Sequence, residues 1–209
     1  MARYRGAVCR LCRREKEKLF LKGTRCLTEK CPLSRRTYSP GEHGQTARYK
    51  LSNYGLQLRE KQKVKRMYGI LEKQFRRYFH IATRSKGVTG KTLLQLLERR
   101  LDNVIFRADF GLSHAQARQI VRHNFVWVNS RRVNIPSYLV KSGDTINIKT
   151  KAKTDKFIKD NIQITKERTK PNWLQVNANN LEIKVLRLPE KEDIQQPIKE
   201  QLIVELYSK

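Results

Sequence analysis

The stretch Ser113-His-Ala-Gln-Ala-Arg-Gln-Ile-Val-Arg-His-Asn-Phe-Val-Trp-Val-Asn-Ser-Arg-Arg-Val-Asn-Ile135 changes its period midway. The first half predicts a helix. Ser113 supplies a hydroxyl N-cap, Gln116 stands at the third helical position as a capping box requires, and Asn124 can take the left-handed geometry that ends a helix. Ala117, Ile120 and Val121 form a narrow apolar face, while His114, Arg118 and Arg122 follow at four-residue intervals on another. The second half predicts a β-hairpin: residues 125–128 and 131–135 flank the two-residue turn Asn129-Ser130, with Arg131 and Arg132 beside it. After the turn Lys141-Ser-Gly-Asp144, Thr145-Ile-Asn-Ile148 reads as a third short strand. A capped helix next to a basic hairpin can hold a polyanion. The helix amino end offers free N–H groups and a favourable dipole, and each Arg fork can grip two phosphate oxygens.

Working outward, Thr89-Gly-Lys-Thr92 opens a helix that carries Leu93, Leu94, Leu97, Leu101, Val104 and Ile105 to a stop at Phe110-Gly111. The preceding Gly-Val-Thr-Gly-Lys-Thr ends like a phosphate loop, but position 85 is Ser where that loop needs Gly, and no strand leads into it. Ser52 caps a helix over 53–67 that Gly69 closes. A further helix over 70–84 is expected to bury Ile70, Leu71, Phe75, Phe79 and Ile81, with Arg76 and Arg77 off that stripe. Residues 1–51 show no sustained period and read as loop-rich. Beyond 150 a lysine-rich helical connector leads to a second hairpin, 173–176 with 181–185, and then to an apolar segment, 197–207, that packs on another element.

Charge narrows the function. The 209 residues hold 46 Lys plus Arg against 19 Asp plus Glu, a formal net charge of +27. An excess of that size repels itself unless a polyanion neutralises it. Residues 151–209 are nearly balanced, 12 basic against 9 acidic, so contact with the polyanion belongs to the first two thirds of the chain. No apolar run approaches the length of a bilayer span, the basic helices lack an opposing aromatic and leucine face, and Met-Ala-Arg-Tyr-Arg-Gly precedes no apolar signal region. A cytoplasmic chain with no membrane partner is the expectation. The four histidines sit in no nucleophile or zinc-protease motif, so neither catalysis nor a small-molecule substrate is expected. No RNP aromatic motif or GxxG loop is present, so recognition by shape is expected.

All four cysteines, Cys9, Cys12, Cys26 and Cys31, fall in the first 31 residues, spaced C-x2-C-x13-C-x4-C. Two close pairs suit one structural zinc ion bound by four thiolates, and neighbouring Arg and Lys would favour the thiolate form. Free thiols, a disulfide and an iron–sulfur cluster are the alternatives.

These residues carry a resemblance. Pro40-Gly-Glu-His-Gly44, Leu58-Arg-Glu-Lys-Gln62, Leu97-Glu-Arg-Arg-Leu-Asp-Asn103, Ala115-Gln-Ala-Arg-Gln119, Ile135-Pro-Ser-Tyr138 and Glu205-Leu-Tyr-Ser-Lys209 make the chain resemble, end to end, the family of bacterial and organellar small-subunit ribosomal protein four. The resemblance implies an α+β fold: a loop-rich zinc-binding module over 1–45, a helical domain over 46–98 completed by 166–209, and an inserted RNA-binding domain over 99–165 with two helices and a short antiparallel sheet. It implies direct binding to the 5′ domain of small-subunit rRNA, a role in early subunit assembly and translational accuracy, and, in some members, repression of their own mRNA. Arg59, Lys61, Lys63, Lys65 and Arg66 would face rRNA, with Ser113, Arg118 and Arg122 on the inserted domain. His114, Arg131 and Arg132 join them, as do Arg3, Arg10, Arg13 and Arg14 of the amino-terminal module. Arg48 and Lys50 would lie where mRNA enters, beside ribosomal proteins three and five. Not every member has four cysteines; this chain matches the zinc-bearing subset. Three departures stand out: Ser130 replaces the usual Gly of the Asn-Gly turn, Asn124 stands where Gly is common but tolerates the same geometry, and Glu42 replaces a common Gln, placing a carboxylate where phosphate would be repelled.

Overall fold

The structure, a computed structural model, describes residues 2–46, 50–149, 152–165, 168–194 and 197–208. In chain order the helices are α1 (Cys9–Glu15), α2 (Pro32–Arg35), α3 (Asn53–Met67), α4 (Glu72–Arg84), α5 (Thr89–Glu98), α6 (Leu101–Arg107), α7 (His114–Arg122), α8 (Ala152–Ile164) and α9 (Glu200–Tyr207). The strands are β1 (Val126–Val128), β2 (Arg131–Arg132), β3 (Thr145–Ile148), β4 (Leu174–Asn177) and β5 (Glu182–Val185). The result is a mixed fold of helices and one antiparallel sheet, divided into two compact units: Met1–Gly90 with Pro197–Lys209, and Lys91–Gln196.

In the first unit the local signals act as the sequence suggests. The Ser52 hydroxyl accepts from Gly55 N at 3.2 Å. At the other end of α3, Gly69 has φ +61°, and its N–H and that of Ile70 reach back to Arg66 O and Lys65 O, which closes the helix. α4 buries Phe75, Tyr78, Phe79 and Ala82, a clean i, i+3, i+4, i+7 face. Leu71 and Ile81, expected inside, are exposed: Leu71 is the extended N-cap residue ahead of the helix, and Ile81 falls off that face. The carboxyl-terminal segment becomes α9, whose Tyr207 ring stacks on Phe79 with centroids 4.5 Å apart. Gly90 lets α9 approach: a Cβ there would meet Glu200 Cγ at 2.6 Å.

The second unit is built on a five-stranded sheet of order β2-β1-β3-β5-β4, every pair antiparallel. Val126, Val128, Ile146, Ile148, Ile183 and Val185 point to one face, where Leu101, Ile105, Phe110, Val121, Ile158 and Trp173 complete the core. The sheet runs past the expected domain boundary at 165. β3 pairs with β5 in the register Ile146↔Ile183, so the second hairpin lies in this unit and does not complete the helical one. Either hairpin alone would leave an unpaired edge; joined, they share one apolar face.

The single helix expected from Thr89 to Phe110 is two. Arg100 is extended (φ −65°, ψ 135°) and bridges Leu139, while Leu101 N donates to Tyr138 O and Val140 N to Arg99 O, both at 2.9 Å. The leucine spacing continues across the break, so periodicity could not reveal it. Nor is Gly111 the left-handed stop. Asp109 takes that conformation (φ +64°), and Gly111 is required because a Cβ would lie 2.9 Å from Ala117 N.

The β1–β2 turn has both residues at positive φ, Asn129 at 47° and Ser130 at 66°. Asn129 is anchored, accepting from Thr145 N at 2.9 Å and donating to Asp144 at 2.8 Å. Ser130 carries a Cβ in a geometry that suits Gly. Ser130→Gly is therefore expected to stabilise the chain by about 1 kcal/mol, or about 2–4 °C in Tm. Thermal unfolding of the two proteins checks this, and an unchanged or lower Tm would mean the turn is not strained.

Candidate nucleic-acid interface

α3 carries the densest run of positive charge, yet the structure turns much of it inward. Arg59 and Arg66 both donate to Glu15, whose side chain is 2 % exposed, and so clamp α1 onto α3. Lys61 and Lys65 donate to Glu72 at 2.8 and 3.0 Å, and Tyr207 adds a third hydrogen bond at 2.8 Å. Burial alone would raise the Glu72 pKa, but these three donors outweigh it and hold the carboxyl at about 2. Lys63 reaches Glu60, Glu17 and the Pro197 carbonyl. These five residues, expected to face RNA, are all engaged with acceptors of the chain itself. They bind α1, α4 and the carboxyl-terminal segment to α3.

Part of the stripe on α7 is also engaged within the chain. Arg118 is 6 % exposed and donates to Asp102 at 3.1 Å; the same carboxylate receives Arg100 through Nε and Nη2 at 3.0 and 2.8 Å. His114 packs on Phe106 with ring centroids 4.0 Å apart. Burial first, then Arg107, pushes its pKa down to about 3, so it is neutral near pH 7 and brings no charge to a phosphate. Ser113 is the N-cap, accepting from Gln116 N, and the Gln116 side chain accepts from Leu112 N at 2.6 Å. Of the first-turn N–H groups, that of Gln116 is engaged by this cap. Arg122, Arg131 and Arg132 do face solvent.

In the amino-terminal module Arg3, Arg10 and Arg14 are exposed, as is Lys50, whereas Arg48 lies outside the described residues. Arg13 is internal in function. It donates to the carbonyls of Tyr38 and Ser39 and lies 4.9 Å from the Tyr38 ring centroid, holding that loop to α1.

Cys12, Cys26 and Cys31 are buried, Cys9 is half-buried, and all four are free of disulfides. Lys22 N donates to the Cys26 sulfur at 3.3 Å. Burial raises the Cys12 and Cys26 thiols, and neighbouring cysteines raise them further, so the expected thiolate-favouring effect of nearby basic residues does not prevail there. Donor chemistry and burial fit a thiophilic ion. Among the described residues, however, no three His, Cys, Asp or Glu side chains converge on an ion-holding point.

The exposed basic surface that emerges in the first unit lies on α4. Lys73, Arg76, Arg77, His80 and Arg84 follow at i, i+3, i+4, i+7 and i+11 and line an open groove of about 770 Å³ with Glu72 and Ile81. Their spacing was legible as one helical stripe. It was overshadowed by the denser charge of α3, whose acidic partners are distant in sequence. In the second unit Arg122, the hairpin arginines and Lys149 are exposed.

Residues 3–98 match the family description "Ribosomal protein S4/S9 N-terminal domain", and residues 99–146 match the "S4 domain". The chain is 59 % identical to the small ribosomal subunit protein uS4 of Thermodesulfovibrio yellowstonii over the full length of both. It is 58 % identical to that of Acetivibrio thermocellus and 60 % identical to protein uS4A of Alkaliphilus oremlandii, again with complete coverage of both chains.

Proposed function

The chain belongs to the uS4 family of small ribosomal subunit proteins, and on that premise we propose that it meets small-subunit rRNA through the side chains the fold leaves outside, above all the α4 stripe and the β1–β2 hairpin. It is a structural constituent of the small subunit and not an enzyme, as its relatives are ribosomal proteins. One observation carries the choice of surface: the basic residues of α3 are paired with Glu15, Glu17, Glu60 and Glu72, whereas those of α4 line an open groove. The expected signature is strong, salt-sensitive rRNA binding that loses slope when α4 is neutralised. An unchanged slope would move the interface elsewhere.

On the same reading the chain binds the 5′ domain early in assembly, supports translational accuracy, and presents Lys50 toward mRNA beside ribosomal proteins three and five. Cross-linking on native subunits reads those contacts, and finding Lys50 crosslinked to neither mRNA nor those proteins would remove them.

The thiol cluster has its own proposal. Cys9, Cys12, Cys26 and Cys31 would hold one zinc ion as thiolates, and the ion would order a segment too polar to fold by itself. The spacing, the burial and the absence of disulfides support this. Elemental analysis of native protein is expected to give about one zinc per chain, and chelation to loosen residues 1–45. Native protein with no metal and four titratable thiols would reject it, and iron in place of zinc would point to a cluster.

A further inference from the structure

Trp127 stands apart from the rest of the sheet. Its strand neighbours Val126 and Val128 are buried in the core, but Trp127 points to the opposite face and is absent from the residues packed against that core. The other tryptophan, Trp173, is fully enclosed. The register sets Arg132 on one side of Trp127 and Asn147 on the other, with Glu182 beyond Asn147. The Lys149 ammonium lies 4.6 Å from the indole centroid. A large aromatic ring on a polar sheet face, bracketed by two exposed cations, is a stacking platform with phosphate partners at its edges.

We propose that Trp127 stacks an unpaired RNA base, with Lys149 and Arg132 holding the flanking phosphates. This deepens the rRNA-binding reading and rests on it. Magnitudes favour exchange of the partner over the ring. An exposed cation–π contact is worth about 2- to 5-fold in an equilibrium constant. A base stacked on an aromatic ring is worth about 5- to 150-fold. An incoming base therefore displaces Lys149, whose flexible stem lets the ammonium swing to a phosphate oxygen. Glu182 lies two strands from Trp127, on the side away from Arg132, and limits how far the backbone can follow the sheet in that direction. An unpaired base is required, because a duplex hides its base faces.

The test uses the full chain with a single-stranded oligouridylate of about eight nucleotides, a length within one sheet-sized site, a duplex of equal length, and small-subunit rRNA. The single strand is expected to quench Trp127 emission, read against Trp127→Phe, in which only Trp173 emits. Trp127→Ala is expected to weaken single-strand binding about 5- to 150-fold with an unchanged salt slope, while Trp127→Tyr, which keeps the ring and guards against a folding defect, retains most of it. Lys149→Gln is expected to lower the slope by about one. Equal losses on duplex and single strand, or no quenching, would overturn the stacking site. If wild-type protein binds rRNA and Trp127→Ala binds every RNA as well as wild type does, only this inference fails. If wild-type protein does not bind rRNA, the broader reading fails with it.

Discussion

Asp102→Asn is expected to destabilise the second unit by about 3–5 kcal/mol, the range for removing one partner from a buried charge cluster. Asp102 receives three hydrogen bonds from two guanidiniums that are 1 % and 6 % exposed, Arg100 and Arg118. Asparagine keeps the shape but removes the charge both cations share, and it offers one acceptor oxygen where there were two. The damage should reach beyond the pair. Arg100 occupies the break between α5 and α6, and Arg118 ties α7 to that break, so the cluster fixes how the two helices meet. Urea unfolding followed by the emission of the core residue Trp173 measures the loss. Replacing Arg100, Asp102 and Arg118 together by Met, Leu and Met is expected to recover most of it, because the desolvation of all three charges disappears. A single-variant loss under about 1 kcal/mol would show that the cluster is not a closed ion pair.

Replacing Arg76, Arg77 and Arg84 together by Gln is expected to weaken rRNA binding about 10-fold per residue, from the worth of a charged hydrogen bond. The slope of log affinity against log salt should fall by about one per lost phosphate contact. The three side chains are exposed on α4; Arg76 also hydrogen-bonds Tyr207, so the fold should lose little stability. Lys61→Gln provides the contrast. It breaks a 2.8 Å contact to Glu72 at a site that is 8 % exposed, so it should lower stability and leave the salt slope in place. Titration of rRNA at several salt concentrations, with thermal unfolding alongside, separates the two outcomes. Equal slopes for wild type and the triple variant would remove α4 from the interface.

The sequence was informative where one local force decides the structure. Ser52, Gly69 and Ser113 mark helix ends because each satisfies or permits a backbone geometry within its own turn. The hairpin at 126–132 follows from strand alternation about a two-residue turn. It was less informative where two distant segments compete. The break at Arg100 depends on Leu139, the β3–β5 pairing joins Thr145 to Lys184 and Asn147 to Glu182 across a long stretch of chain, and the inward turn of the α3 charges depends on Glu15 and Glu72.

By itself, then, the sequence determined the partner class and the family, through a charge excess that needs a polyanion and motifs that run from end to end. It also placed the strands and the helices α3, α4, α7 and α8, since caps, turns and periodicity act over a few residues, but it read the stretch holding α1 and α2 as loop and α5 with α6 as one helix. Only the tertiary structure decided which cations are available to that partner. A charge in sequence is free or engaged according to whether a carboxylate from another element lies within hydrogen-bond reach, and that is a property of packing. Arg59, Lys61 and Arg118 are engaged in this way, while Arg76, Arg77, Arg131 and Arg132 remain on the solvent face.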